Sequence, residues 1–290
     1  MRALLGTARP RQWVKNVFVA FPLLFAKRLG DPHDLWRAAF AAAIFCAISS
    51  AVYFINDVAD VEKDRAHPVK CKRPIAAGQL SIAAAQVTAA TLAAGGLALG
   101  AFLGWMYVAA AGAYLVNNVA YSHGLKRVVY LDVLSIASGF LLRVIAGALA
   151  IGVETSPYLL VCTGLLACYL GFGKRTHELA AAGDRAADQR AVLRHYRGDV
   201  LRAALAVTGC ATFAAYVAYT RAAHTIAFFH TQRMIWTAPC AAFSLARFYT
   251  LVTRADSHDS PTDAMLKDAP FVLNALIWTA AVTLIIYFRP

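Results

Sequence analysis

The chain has 290 residues, of which 60% are hydrophobic and only 15% charged, with a mean hydropathy of +0.55; a soluble globular domain is roughly 45–50% apolar. This excludes a water-soluble core and predicts a helical bundle in lipid, because backbone groups facing hydrocarbon must be bonded within their own segment. The formal net charge of +12 reads as membrane topology and attraction to anionic headgroups and phosphorylated substrates, not as a nucleic-acid surface.

In chain order, apolar runs place nine predicted spans near 16–30, 36–56, 81–101, 105–121, 131–151, 157–173, 201–220, 234–253 and 270–288, in one integral membrane domain over 1–290. The stretch before the first span carries Arg2, Arg9 and Arg11 with no small-residue cleavage site after the first apolar run, so an uncleaved first helix is expected, the mature chain starting near Met1. With the N-terminus inside, twenty of the 28 Lys and Arg fall on the inner side, six on the outer side, and Arg143 and Arg247 within spans. Such an excess marks the cytoplasmic face. The inner loops 57–80, 174–200 and 254–269 are long, and the bundle is expected to open toward them. Of the six cysteines only Cys71 lies in a polar loop, and no spacing suggests zinc or a redox pair. The small residues of Gly96 to Gly100 suit close helix packing.

Asn56, Asp57, Asp60 and Asp64 close the second span. At 100° per residue Asp57 and Asp64 fall about 20° apart and Asp60 about 60° from Asp57, so the three carboxylates share one helix face. Like charges stacked in this way suit a cation between them, and carboxylate oxygens are what Mg²⁺ accepts while it bridges phosphates. A solvated acidic helix end neutralised by Lys63 and Arg65 is the alternative. His67-Pro68 is expected to stop the helix, and Lys70, Lys72 and Arg73 stand ready for phosphate oxygens.

Tyr121, Lys126 and Asp132 form a second set between the fourth and fifth spans. Arg143 lies about 16 Å into the fifth. An intramembrane Arg faces the bundle interior, either lining a cavity or pairing with a polar side chain, with Asn117 and Asn118 as candidate partners. A third set, Lys174, Arg175 and Glu178, begins the longest inner loop; Lys174 and Glu178 make an ordinary i, i+4 pair if the helix continues. Asp184 and Asp188 follow at D-x-x-x-D spacing. In the last inner loop Asp256, Asp259, Asp263 and Asp268 divide between ligand roles and capping or turn roles at Ser260-Pro261 and Asp268.

The run N-D-V-A-D-V-E-K-D at 56–64, continuing as R-A-H-P-V-K-C-K-R-P-I-A-A-G to 78, resembles the first aspartate-rich motif of the UbiA superfamily of intramembrane prenyltransferases. R-P-R-Q-W-V-K-N at 9–16, G-L-K at 124–126, R-V-I-A-G at 143–147 and G-K-R-T-H-E-L at 173–179 resemble one branch more closely, the decaprenyl-phosphate phosphoribosyltransferases of actinobacterial arabinan synthesis. The resemblance implies an all-α, nine-helix bundle with a cytoplasmic-facing cavity in the bacterial inner membrane, and a homo-oligomer. It makes Asp57, Asp60 and Asp64 the catalytic ligands of Mg²⁺ and diphosphate, with Lys126, Lys174 and Arg175 on donor phosphates. Lys15, Asn16, Asn56, Lys72, Arg73, Tyr121, Arg143 and Glu178 complete the implied substrate-binding set.

The implied reaction moves 5-phosphoribosyl from 5-phosphoribosyl diphosphate to a polyprenyl phosphate. The chain departs from prenyl-diphosphate members, which usually carry a second aspartate-rich motif after the sixth span; here G-K-R-T-H-E-L stands in that place. Cations replacing a second metal motif suit a donor with an extra 5-phosphate. Two other readings are a prenyltransferase acting on an aromatic acceptor and, from a different class, a lipid or solute transporter, which has no need of three stacked carboxylates beside a Lys/Arg cluster.

Overall fold

The computed structural model describes residues 1–182, 191–253 and 260–288, and the regular elements among these residues are all helices. The chain divides into two compact units, Met1–Thr155 and Ser156–Pro290.

In the first unit a short helix α1 (Arg2–Ala8) leads into a 3₁₀ segment, Pro10–Ala20, and then α2 (Phe21–Phe25). The long α3 (Pro32–Ala59) and short α4 (Val61–Ala66) are followed by α5 (Ile82–Gly100), α6 (Trp105–His123) and α7 (Leu131–Ala150). α3 starts with Pro32 at its first turn and Asp31 as N-cap, whose carboxylate accepts from the backbone N–H of His33 and Asp34. Phe45, Ile48, Tyr107 and Ala146 anchor the core that joins α3, α6 and α7. Small residues set the helix spacing: a Cβ on Gly147 would meet the Val19 carbonyl oxygen at 1.9 Å, so only glycine lets the 3₁₀ segment lie against α7.

The second unit contains α8 (Pro157–Ala182), α9 (Gly198–Arg221), α10 (Ala223–Phe229), α11 (Ala238–Thr253), α12 (Pro261–Lys267) and α13 (Ala269–Tyr287). Tyr169, Leu205, Phe248 and Val252 form its core, and the Tyr169 hydroxyl donates to the Leu245 carbonyl at 2.7 Å. Leu273, Leu276, Ile277 and Leu284 of α13 are exposed, as are Val87 and Leu99 of α5, a display suited to lipid.

Six of the predicted spans are single helices long and apolar enough to cross a bilayer: those in α3, α5, α7, α8, α9 and α13. The other three take different forms. The expected helix over 16–30 is a 3₁₀ segment joined to α2, and the expected helix over 234–253 is a 3₁₀ turn, Arg233–Thr237, joined to the 16-residue α11. The reason is the same in both. Pro22 and Pro239 each sit second in the α-helix that follows, and a proline ring removes the i→i−4 bond and crowds that carbonyl, which favours tightening the preceding turns. The remaining one, α6, is a 19-residue helix whose apolar run is interrupted by Asn117 and Asn118.

Candidate active site

The expected single helix through 56–64 breaks at one residue. α3 ends at Ala59, Asp60 is its C-cap at φ −102 and ψ 7, and α4 restarts at Val61. The ladder nevertheless continues, since Asp60 N–H donates to the Asn56 carbonyl and Asp64 N–H to that of Asp60, so the backbone positions of the three aspartates keep nearly the helical stagger. His67, extended at ψ 131 before Pro68, stops α4 as the sequence predicts. The chain then folds back through the 3₁₀ turn Lys70–Lys72 and a bend at Gly78 (φ 74). Ile75, 1% exposed, is inserted among Phe54, Val61, Ala85 and Ala89. This buried anchor holds Arg73 against the end of α3.

Asp57 and Asp64 are each 3% exposed, and one nitrogen touches both: Arg73 Nη1 lies 3.2 Å from Asp57 Oδ1 and 2.6 Å from Asp64 Oδ2. Arg9 Nη2 adds a 2.5 Å bond to the same Asp57 oxygen. Asp60 turns elsewhere and accepts both its bonds from Lys126 Nζ, at 2.7 and 2.8 Å. Lys126 is placed by a 3₁₀ turn, Leu125–Arg127, just after α6. One turn back along both helices, Ser122 of α6 donates to Asn56 Oδ1 of α3, so the two pairs fix the register of α3 on α6. Beside the cluster, His67 Nδ1 accepts from the backbone N–H of Val69 and Lys70. Burial and the neighbouring Lys70 lower its pKa, and Asp64 opposes them only in part.

Several sequence expectations need correction. Lys63 and Arg65 do not neutralise the carboxylates: Arg65 pairs with exposed Glu62 at 2.7 Å, and Lys63 is exposed. Arg143 does not pair with Asn117 or Asn118, which bond to Ser135 and to the Tyr114 carbonyl. Its Nε instead donates to Asn16 Oδ1 at 2.9 Å, Nη2 to the Tyr114 hydroxyl at 2.8 Å and Nη1 to the Gly139 carbonyl at 3.0 Å. Asn16 in turn donates to Cys46 and Ser49. Lys174, Arg175 and Glu178 lie not at the start of a loop but within α8, which runs to Ala182, and Glu178 pairs with Arg175, three residues away. Arg175 is fully buried. Asp268 caps α13 through Phe271 N–H and grips Arg247 at 2.7 and 3.1 Å, while Ser260 caps α12 and bonds Asp263. Lys15, Lys72, Tyr121 and the buried Asp132 all lie within the first unit. Asp184, Asp188, Asp256 and Asp259 lie outside the described residues.

The donor set suits a hard divalent cation. Asp57 and Asp64 already share one cationic nitrogen, and carboxylate oxygen is the ligand Mg²⁺ prefers. With the guanidiniums and the ammonium in place, the three carboxylates are not gathered as ligands: among the described residues the one group whose ligand atoms fall within 4.8 Å of one another is Asp31, His33 and Asp34, at the other end of α3. Asp31 there is a cap, and Arg28 lies 3.5 Å from Asp34.

The structure is thus a helical, apolar bundle with buried carboxylates crossed by cations at one helix end. The model of the UbiA prenyltransferase family matches residues 16–287, and the chain belongs to that family: it is a multi-pass membrane transferase. It is similar to decaprenyl-phosphate phosphoribosyltransferase of Corynebacterium glutamicum, with 31% identity over 99% of this chain and 87% of that one. The protein of the same name from Mycolicibacterium smegmatis is 32% identical over 98% of this chain and 92% of its own. The solved structure of a UbiA homolog from Archaeoglobus fulgidus bound to GPP and Mg²⁺ shares the fold, with a TM-score of 0.74 at 17% identity, covering 98% of this chain and 99% of that one.

Proposed function

We propose that the chain transfers 5-phosphoribosyl from 5-phosphoribosyl diphosphate to a polyprenyl phosphate, decaprenyl phosphate in the cell-envelope arabinan pathway, and releases diphosphate. The observation that carries this reading is the interleaving of charge at the end of α3, where Arg73 bridges Asp57 and Asp64 and Lys126 holds Asp60. Such a face offers carboxylates to a metal and cations to the phosphates that the metal bridges. The relatives' shared name supports the donor and acceptor.

The C1–O bond to diphosphate breaks and the leaving group takes the electron pair. An acceptor phosphate oxygen forms the new bond to C1 from the opposite face. Because that oxygen is already anionic, no general base is needed. Held by Asp57, Asp60 and Asp64, Mg²⁺ would neutralise charge on the leaving diphosphate. Arg73, Lys72 and Lys126 bind the diphosphate oxygens and orient C1 toward the acceptor. Lys174 and Arg175, by their motif, read the donor's 5-phosphate. The excess of inner Lys and Arg supports a cytoplasmic site in the bacterial inner membrane, and nine spans remain our assignment. At about 2.0 Å per residue in its 3₁₀ stretch and 1.5 Å in its α stretch, the run Arg233–Thr253 reaches about 30 Å or more, the thickness of the hydrocarbon core.

The test is purified protein in nanodiscs given labelled phosphoribosyl diphosphate with polyprenyl phosphate, and in parallel labelled polyprenyl diphosphate with an aromatic acceptor. Label from the ribosyl donor alone is expected in lipid product. Transfer of the prenyl label alone overturns the proposal.

A further inference from the structure

Arg9 belongs to none of the sequence-derived site sets, yet it makes a 2.5 Å bond to Asp57 Oδ1, the oxygen that also accepts from Arg73. It stands at the joint between α1 and the 3₁₀ segment with its backbone left-handed, φ 53 and ψ 62, a conformation that residues with a Cβ seldom adopt. Its guanidinium lies 5.0 Å from the centre of the Tyr53 ring, a second surface along which it can rest. The charges around it balance: Asp57, Asp60 and Asp64 face Arg9, Arg73 and Lys126. A divalent cation arriving alone must compete with those three cations and leaves them without partners in a partly buried site, a costly outcome. A cation arriving with diphosphate brings the anion that they need.

We propose that Arg9 is a donor-binding residue that exchanges Asp57 for a diphosphate oxygen, so that this chain takes up metal together with diphosphate and only weakly before it. The proposal rests on the metal-diphosphate reading of the Asp57 face made above, and it predicts effects of opposite sign from one substitution. Arg9→Gln removes a competitor for Asp57, so Mn²⁺ alone binds more tightly; it also removes a phosphate contact, so the Mn²⁺–diphosphate complex binds more weakly. Each change is about three- to tenfold, the scale of one hydrogen bond to a charged group that is partly solvated.

The experiment is calorimetric titration of the full chain in nanodiscs with Mn²⁺ alone and then with Mn²⁺ and inorganic diphosphate, for wild type, Arg9→Gln, Arg9→Lys and Arg65→Gln. Arg9→Lys keeps the competing charge and loses the planar fork, so it should match wild type for Mn²⁺ alone and bind the complex more weakly; this holds the test open if Arg9→Gln does not fold. Arg65→Gln, whose partner is exposed Glu62, should change neither titration. The proposal is overturned if Arg9→Gln moves both affinities in the same direction or leaves either unchanged, or if Arg65→Gln reproduces its pattern. Neither probe contains a ribosyl or prenyl group, so a wrong donor assignment leaves these results untouched. Wild type that binds neither probe overturns the exchange and the metal-diphosphate reading together.

Discussion

Asp57 and Asp60 look alike in sequence but have different surroundings. Asp57 is buried under two guanidiniums, and Asp60 is partly exposed and gripped by one ammonium. Asp57→Asn and Asp60→Asn preserve shape and remove a proposed metal ligand, so each should lower transfer by about a hundredfold or more with expression and membrane insertion intact; near-normal turnover in either variant would remove it from the site. Lys126→Ala should raise the donor KM about tenfold, the effect of one charge-assisted hydrogen bond, and an unchanged KM would leave Lys126 as a partner of Asp60 only. Asn16 divides differently. Both ends of its amide are occupied inside the bundle, by Arg143 and by Cys46 and Ser49, and hydrogen bonds between membrane helices average roughly 0.6 kcal/mol with a maximum near 1.7. Asn16→Ala should therefore cost about 1 kcal/mol in thermal unfolding and leave the donor KM within about twofold; a tenfold KM rise at unchanged stability would return it to the substrate set. The acidic face was legible because three carboxylates on one helix face repel one another unless cations lie among them, so the spacing itself calls for positive charge. Arg9 was not: it opens the R-P-R-Q-W-V-K-N run that carries the branch resemblance, but nothing in that run ties it to Asp57, 48 residues further on, and the partners of Arg143 come from α6 and from the segment around Asn16, distances in sequence that no local pattern encodes.

Among the elements, the loop from 67 to 80 was readable at its ends and hidden in its middle. His67-Pro68 announces the stop of α4, but nothing in R-P-I-A-A-G says that Ile75 is the buried anchor that holds Arg73 in place. Ile75→Ala should cost about 2–5 kcal/mol, as for large-to-small changes in packed cores, and should weaken donor binding by freeing Arg73. Ile75→Val should lose about 1 kcal/mol and retain donor affinity. Equal stability of Ile75→Ala and wild type in a thermal melt would show that the loop is held by something else. The spans in α3, α5, α7, α8, α9 and α13 follow from hydrophobicity and length. The two that open with 3₁₀ turns do not, because the effect of Pro22 and Pro239 is on the geometry of the residues before them, whereas hydropathy counts only composition. Hydropathy also ends the sixth span too early, because Lys174, Arg175 and Glu178 have the polarity of a loop; with Arg175 and Glu178 paired on one face of α8, the polar stretch remains helical.

For the molecule as a whole, the charge count makes a topological claim that one thiol can test. Cys71, half-buried in the 57–80 loop, is the cysteine expected outside the spans, so a membrane-impermeant maleimide should label it in inside-out vesicles and not in intact cells, with Cys71→Ser as the blank. Labelling from the outside would invert the orientation and place the Asp57 face away from cytoplasmic donors. The central claim is that the ribosyl unit and its 5-phosphate leave the donor together while diphosphate stays behind. It is tested most directly with phosphoribosyl diphosphate carrying one label on the ribose, a second on the 5-phosphate and a third on the β-phosphate, incubated with the protein and polyprenyl phosphate in nanodiscs. The account predicts that ribose and 5-phosphate labels enter the lipid phase in equal amounts and that the β-phosphate label is recovered in water as diphosphate. Recovery of the β-phosphate label in lipid, or of no donor label in lipid, would contradict it.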